Sequence, residues 1–272
     1  MKLYDFDAKF FEYVRGWMAL HPGLKESEIE QRYNEMMRSW LNAPAQWLGG
    51  VKPGEYFDRY SDPRDLIKLL EEYLKRDIGL PEPLYRRIVT LGASCAPALE
   101  RIASNTDNPE ALRATAMALL REIGSGAPQS LYIDLVCRCE ARNELSDMAA
   151  DALSSGGADI VGPLMDRYDE ATEYGQLLIL DICANYPGDE RIFTRLLDKL
   201  RNRPDQRALY AALLGKLGDP RAVETMLALS RLSDLSYLDY IELRSAIEML
   251  GGDPGEERVF NGDPDYEALR DI

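Results

Sequence analysis

The chain has 272 residues, 46% of them hydrophobic, and carries 47 acidic against 32 basic side chains for a formal net charge of −15. That is enough apolar material for a core in one elongated domain or two. Mean hydropathy is −0.33, and no apolar run approaches the ~18 residues of a helical membrane span. The acidic excess repels phosphate backbones at long range and argues against general nucleic-acid binding, while it suits a basic protein partner or plain solubility.

The opening stretch, MKLYDFDAKFFEYVRGWMAL, has acids where a signal peptide needs a clean apolar segment, and no small-residue cleavage site, so a cytoplasmic chain is expected. Residues 5–20 read as a helix with Phe6, Phe10, Tyr13, Val14 and Trp17 on one face. His21-Pro22-Gly23 breaks it. Ser27 is the expected N-cap of a second helix to Leu41, with Glu30 completing a capping box and Ile29, Tyr33, Met36, Met37 and Trp40 facing inward. An irregular loop over residues 42–54 follows, pinned by Trp47 and Leu48, then a short helix around Glu55–Tyr60. Asp62-Pro63 starts a further helix, with Leu66, Ile67, Leu69, Leu70, Tyr73 and Leu74 apolar, which should stop at Gly79.

All three tryptophans and 13 of the 24 aromatic residues lie within residues 1–80. This segment is expected to be an aromatic-rich helical cap on the array that follows, or else a module with an aromatic binding pocket. The boundary is placed at Gly79–Pro83.

From there the pattern repeats. Glycines fall at Gly92, Gly124, Gly156, Gly188, Gly218 and Gly251, at intervals of 32, 32, 32, 30 and 33. Eight residues before each stand Leu84, Ala116, Met148, Leu180, Tyr210 and Leu243. Four before stand Ile88, Leu120, Ala152, Ala184, Leu214 and Ile247. All are apolar, and positions four apart stack on one helix face, so each unit's first helix carries the same buried stripe. The expected helix pairs are 83–91 with 95–104, 109–123 (capped by Asn108) with 128–140, 143–155 with 159–168, 172–186 with 189–201, and 204–217 with 220–232. An unfinished unit, 237–250, follows. The clearest junction is Leu213–Leu229, where Gly218 ends one helix and Asp219-Pro220 begins the next. The acidic tail, 252–272, either forms a short helix over Pro264–Leu269 or frays.

This period, with two helices per unit, is the signature of an all-α solenoid. The stretches Asn108-Pro-Glu-Ala-Leu-Arg113 and Leu217-Gly-Asp-Pro-Arg-Ala-Val223 resemble bacterial HEAT-like repeats, over about residues 81–251. The resemblance implies stacked helix pairs with a curved surface, most often binding protein. Leu41-Asn42-Ala-Pro44 with Leu48-Gly-Gly-Val-Lys-Pro53 resembles a short motif of toxin-binding domains in some bacterial antitoxins.

Catalytic signatures are sparse. The sole histidine, His21, sits in a turn, where it suits a helix C-terminus better than a triad. Cys95, Cys137, Cys139 and Cys183 are scattered and read as small buried residues, not as a zinc site or disulfide framework. No phosphate-binding glycine loop is present. No cofactor or metal is expected, and no enzymatic activity. The site we single out is a cationic stripe, Arg191, Arg195, Lys199 and Arg203, each four apart, beside Ile192, Leu196 and Leu200. With Arg231 and Tyr168 it would grip a partner's carboxylates on the concave face of the array. The competing reading pairs these cations with Asp166, Asp169 or Glu224. The expected function is a non-catalytic protein-binding scaffold. The alternative is a HEAT-like enzyme acting on nucleic acid or nucleotides through a locally basic cleft.

Overall fold

The computed structural model describes residues 2–21, 23, 26–125 and 128–270, and these contain helices and no strand. The chain forms two compact units, residues 1–128 and 129–272.

The first unit contains α1 (Phe6–Leu20), α2 (Glu26–Asn42), α3 (Pro63–Lys75), α4 (Glu82–Leu91), α5 (Ala96–Ser104) and α6 (Glu110–Ile123). Its N-terminal half is held by aromatic rings. Phe6 lies 5.2 Å from Trp47, 5.5 Å from Phe57, 5.9 Å from Tyr56 and 6.1 Å from Trp40, centroid to centroid. The Tyr73 hydroxyl donates to the Tyr4 carbonyl at 2.9 Å and accepts the Tyr4 N–H, so it ties the extended start of the chain to α3. Burial pushes its phenol up to about 12. The 42–54 loop is pinned by Leu48, which is buried, and by Trp47. Helix α3 packs on α4, α5 and α6, so residues 1–80 share this unit with the helices that follow.

Several local expectations change here. Helix α2 already runs at Glu26, so Ser27 sits inside its first turn and does not cap it. Of the expected break after α1, Pro22 lies outside the described residues. The helix expected over 55–60 is a single 3₁₀ turn, Pro53–Glu55, followed by turns. Helix α3 stops at Lys75, where Asp77 takes a left-handed φ of 54°. Gly79 lies beside Asp7: a Cβ there would come 2.2 Å from a carboxylate oxygen of that exposed side chain, which would have to turn away. Asn108 does not cap α6; its amide donates to the Ile102 carbonyl at 3.0 Å.

The second unit contains α7 (Gln129–Arg138), α8 (Glu144–Ser154), α9 (Val161–Arg167), α10 (Glu173–Cys183), α11 (Glu190–Asn202), α12 (Arg207–Leu217), α13 (Val223–Leu229), α14 (Tyr237–Met249) and α15 (Pro264–Arg270). Helix α12 packs on α11 and most closely on α14, α7 on α8, and α10 on α7, α8, α9 and α11, while α14 also meets α13 and α15. The periodic stripe is the core: Leu180, Ala184, Tyr210, Leu214, Leu243 and Ile247 are buried, as are Leu84, Ile88, Ala116 and Leu120 in the first unit. Met148 and Ala152 are only half-buried, whereas Ala149 and Leu153 are buried. The left-handed glycine there is Gly157 (φ 86°), not Gly156, so that stripe is shifted by one residue.

Two junctions share an aspartate cap. Gly218 is left-handed and ends α12, and the Asp219 carboxylate accepts the Arg221 N–H at 3.0 Å. Asp189 does the same for Arg191 at 2.9 Å. At the C-terminal end, Phe260 is buried against Tyr237, Tyr240 and Tyr266. The Asp263 carboxylate accepts N–H groups from Tyr237, Asp265 and Tyr266, which joins α15 to α14 and holds that carboxyl below the usual range.

Candidate functional site

Helix α11 turns Ile192, Phe193, Leu196 and Leu200 into the core. The 3.6-residue period then places Arg191, Arg195 and Lys199 along one outer edge. Each meets a group on a preceding element. Arg191 is held by Asp189 beneath it and donates to Asp166 of α9 at 2.7 Å. Arg195 donates to Asp169 at 2.7 Å, just beyond α9. The Lys199 ammonium donates to the Gln176 amide oxygen on α10 at 3.0 Å. Arg203 pairs with Glu173 at the start of α10 and with Asp205. The stripe is thus one side of a ladder, with acids and an amide on the other.

The two sides are not equally accessible. The side chains of Arg191, Arg195 and Arg203 are 46%, 44% and 30% exposed, whereas Asp166, Asp169 and Glu173 are 70%, 72% and 65% exposed. The carboxylates are the relatively more exposed members, while Arg191 and Arg195 also keep over two-fifths of their side chains in solvent. Between α9 and α11 runs a groove of about 660 Å³ lined by Met165, Asp166, Asp169, Glu190, Arg191, Thr194 and Arg195, three acids against two cations.

Two proposed contact residues are placed differently from the sequence reading. Tyr168 is 2% exposed, because its ring packs into the core beneath Arg195, whose guanidinium lies 5.1 Å from the ring centroid. It cannot meet a partner, and burial pushes its phenol up to about 12. Arg231 is exposed, but in the turn after α13 and off the α11 edge. Asp166 and Asp169, which the competing reading names as partners of the stripe, do reach α11 from about 25 residues upstream and pair with Arg191 and Arg195. The Tyr168 hydroxyl and the Arg207 Nε are buried with no hydrogen-bond partner among the described residues.

The residues lining this groove include no histidine and no cysteine. His21 stacks on Trp17 at 4.1 Å and its Nδ1 meets the Trp17 carbonyl at 2.8 Å. The described residues hold no group of three or more His, Cys, Asp or Glu placed to bind a metal ion. All four cysteines are buried thiols; burial raises Cys95 and Cys137 and pushes Cys183 up to about 12. A raised pKa keeps the thiol protonated at neutral pH, and only the thiolate attacks. An aromatic disulfide reagent at pH 8 is therefore expected to leave the native chain almost unmodified and to titrate four thiols after denaturation. Rapid reaction of Cys183 in the native chain would contradict this burial.

Comparison with family models, with curated proteins and with solved structures finds no match to this chain.

Proposed function

We propose that the chain is a non-catalytic scaffold that binds a protein partner, built as an α-solenoid of HEAT-like helix pairs with its aromatic N-terminal part as a cap. The Gly–Asp junctions, the periodic buried stripe and the stacking of sequence neighbours support this architecture. The observation that carries the binding proposal is the ladder on α11. Its ion pairs are surface pairs, each contributing about 0–1 kcal/mol or less, so a partner's charge can displace an internal one at little cost. Because the carboxylates are the more exposed members, the partner's lysines or arginines engage Asp166 and Asp169. The arginines behind them fix those carboxylates in place. This turns round the polarity that the Arg/Lys spacing alone suggests.

Two variants separate the polarities. Asp166→Lys with Asp169→Lys is expected to weaken retention of a basic helical peptide library about tenfold or more, in a manner that added salt mimics. Arg191→Glu with Arg195→Glu and Lys199→Glu should retain binding of basic peptides while the circular dichroism stays that of the native chain. Loss of binding only in the second variant would return the contact to the cations. Unchanged binding in both would remove the ladder as the partner surface.

A further inference from the structure

The α1–α2 hairpin buries its large side chains only at the inner end: Phe6 and Phe10 on α1, Met36 and Trp40 on α2. The two helices meet through Phe10, which lies 5.3 Å from Tyr33 and 5.4 Å from Trp40. Helix α1 carries more apolar surface than α2 covers. Phe11 is 57% and Met18 42% exposed, and at ~100° per residue they share one edge of α1, to the side of the line facing α2. Leu20, 79% exposed, stands on the opposite side at the helix end, so the Phe11 edge is marked by two apolar side chains together with the charges beside them.

The charges beside them say what fits there. Asp7, Phe11 and Arg15 succeed one another at four-residue spacing on that edge. Asp7 and Arg15 are both exposed, and neither side chain has a hydrogen bond or ion pair among the described residues, although the Asp7 carboxylate has Gly79 of its own unit on one side. Their neighbours Lys9 and Glu12 pair with each other at 2.8 Å. We propose that this edge is a contact between two copies of the chain, with two α1 helices crossing antiparallel about a two-fold axis at Phe11. Antiparallel pairing centred on Phe11 sets Asp7 of each copy against Arg15 of the other, twice over, and stacks the two Phe11 rings between them. A parallel pair would set like against like. The order acid, aromatic, base is complementary to itself under a two-fold axis, which is what an isologous contact requires. Helix α1 spans only ~22 Å, so the contact is smaller than the ~800 Å² per partner of a standard interface. The dimer is therefore weak and concentration-dependent.

Sedimentation velocity on the full chain, from micromolar to submillimolar concentration, tests this. The native chain is expected to pass from monomer to dimer, and Phe11→Asp to stay monomeric with an unchanged helical spectrum. Asp7→Arg or Arg15→Asp alone should weaken dimerisation about tenfold or more, and the two together should restore it. A structural effect of either substitution would not be reversed by the other, so the rescue reads the contact itself. A native chain that remains monomeric throughout overturns the proposal and leaves the edge to a different protein. Dimerisation that survives Phe11→Asp, or a double variant that fails to recover it, overturns it too.

Discussion

Gly175→Val is expected to destabilise the second unit by about 3 kcal/mol. The first turn of α10 lies against the end of α7, where the last carbonyls have no partner within their own helix. Thr172 satisfies two of them: its N–H donates to the Cys137 carbonyl at 2.9 Å and its hydroxyl to the Cys139 carbonyl. That seating leaves no room for a side chain. A Cβ at Gly175 would lie 2.6 Å from the Val136 oxygen and 2.8 Å from the Cys137 oxygen, both backbone atoms fixed by α7. The substitution must therefore push the helices apart and break the Thr172 bonds as well. Gly162→Ala in α9 is the control, because nothing lies within 4 Å of its Cβ position. It should be neutral or stabilise by about 0.5–1 kcal/mol through helix propensity. Thermal or urea unfolding of both variants reads the difference, and equal stability of the two would disprove the close approach.

Phe6→Ala should cost the first unit about 3–5 kcal/mol. Phe6 is 3% exposed and stands at the centre of four rings from three separate segments: Trp40, Trp47, Tyr56 and Phe57. Removing it opens a cavity that rigid rings cannot refill, and it forfeits edge-to-face contacts beyond the lost apolar area. Trp40 and Trp47 border that cavity, so their fluorescence should shift to longer wavelength in the variant before any global unfolding. An unchanged emission spectrum with unchanged stability would show that the ring cluster is not what holds this end together.

Much of the helical framework was legible because glycine and aspartate have local jobs. Gly124, Gly218 and Gly251 adopt positive φ and end helices where the spacing placed them, and the apolar positions four and eight residues before them are buried. The spacing erred where the sequence offers two adjacent glycines. A regular 32-residue interval selects Gly156, but the chain turns at Gly157, and only the burial of Ala149 and Leu153 tells the two apart. Local rules also overreached at Asn108, whose amide turns to the Ile102 carbonyl, and at Ser27, which lies inside the helix it was expected to cap. The site was legible by half. The Arg191 edge follows from four-residue spacing, and Asp166 and Asp169, named in the competing reading, are the acids it meets; which members face outward, and that the aromatic Tyr168 is a core residue and not a surface anchor, sequence alone does not distinguish.

The junction aspartates have a mechanical consequence. Arg221 is clamped by Asp219, the residue that caps its own turn, and reaches back to Glu190 at 2.8 Å; Arg191 is clamped by Asp189 and reaches back to Asp166. Each guanidinium is a strut between two helical segments, and its footing is the carboxylate that starts its own turn. Pulling two neighbours apart therefore loosens the footing and frays the turn in the same event. Under load, this part of the chain should yield in discrete steps, one junction at a time, and stiffen again when a junction closes. High salt should soften each step without changing their number, since ions screen the struts and leave the apolar stripe intact.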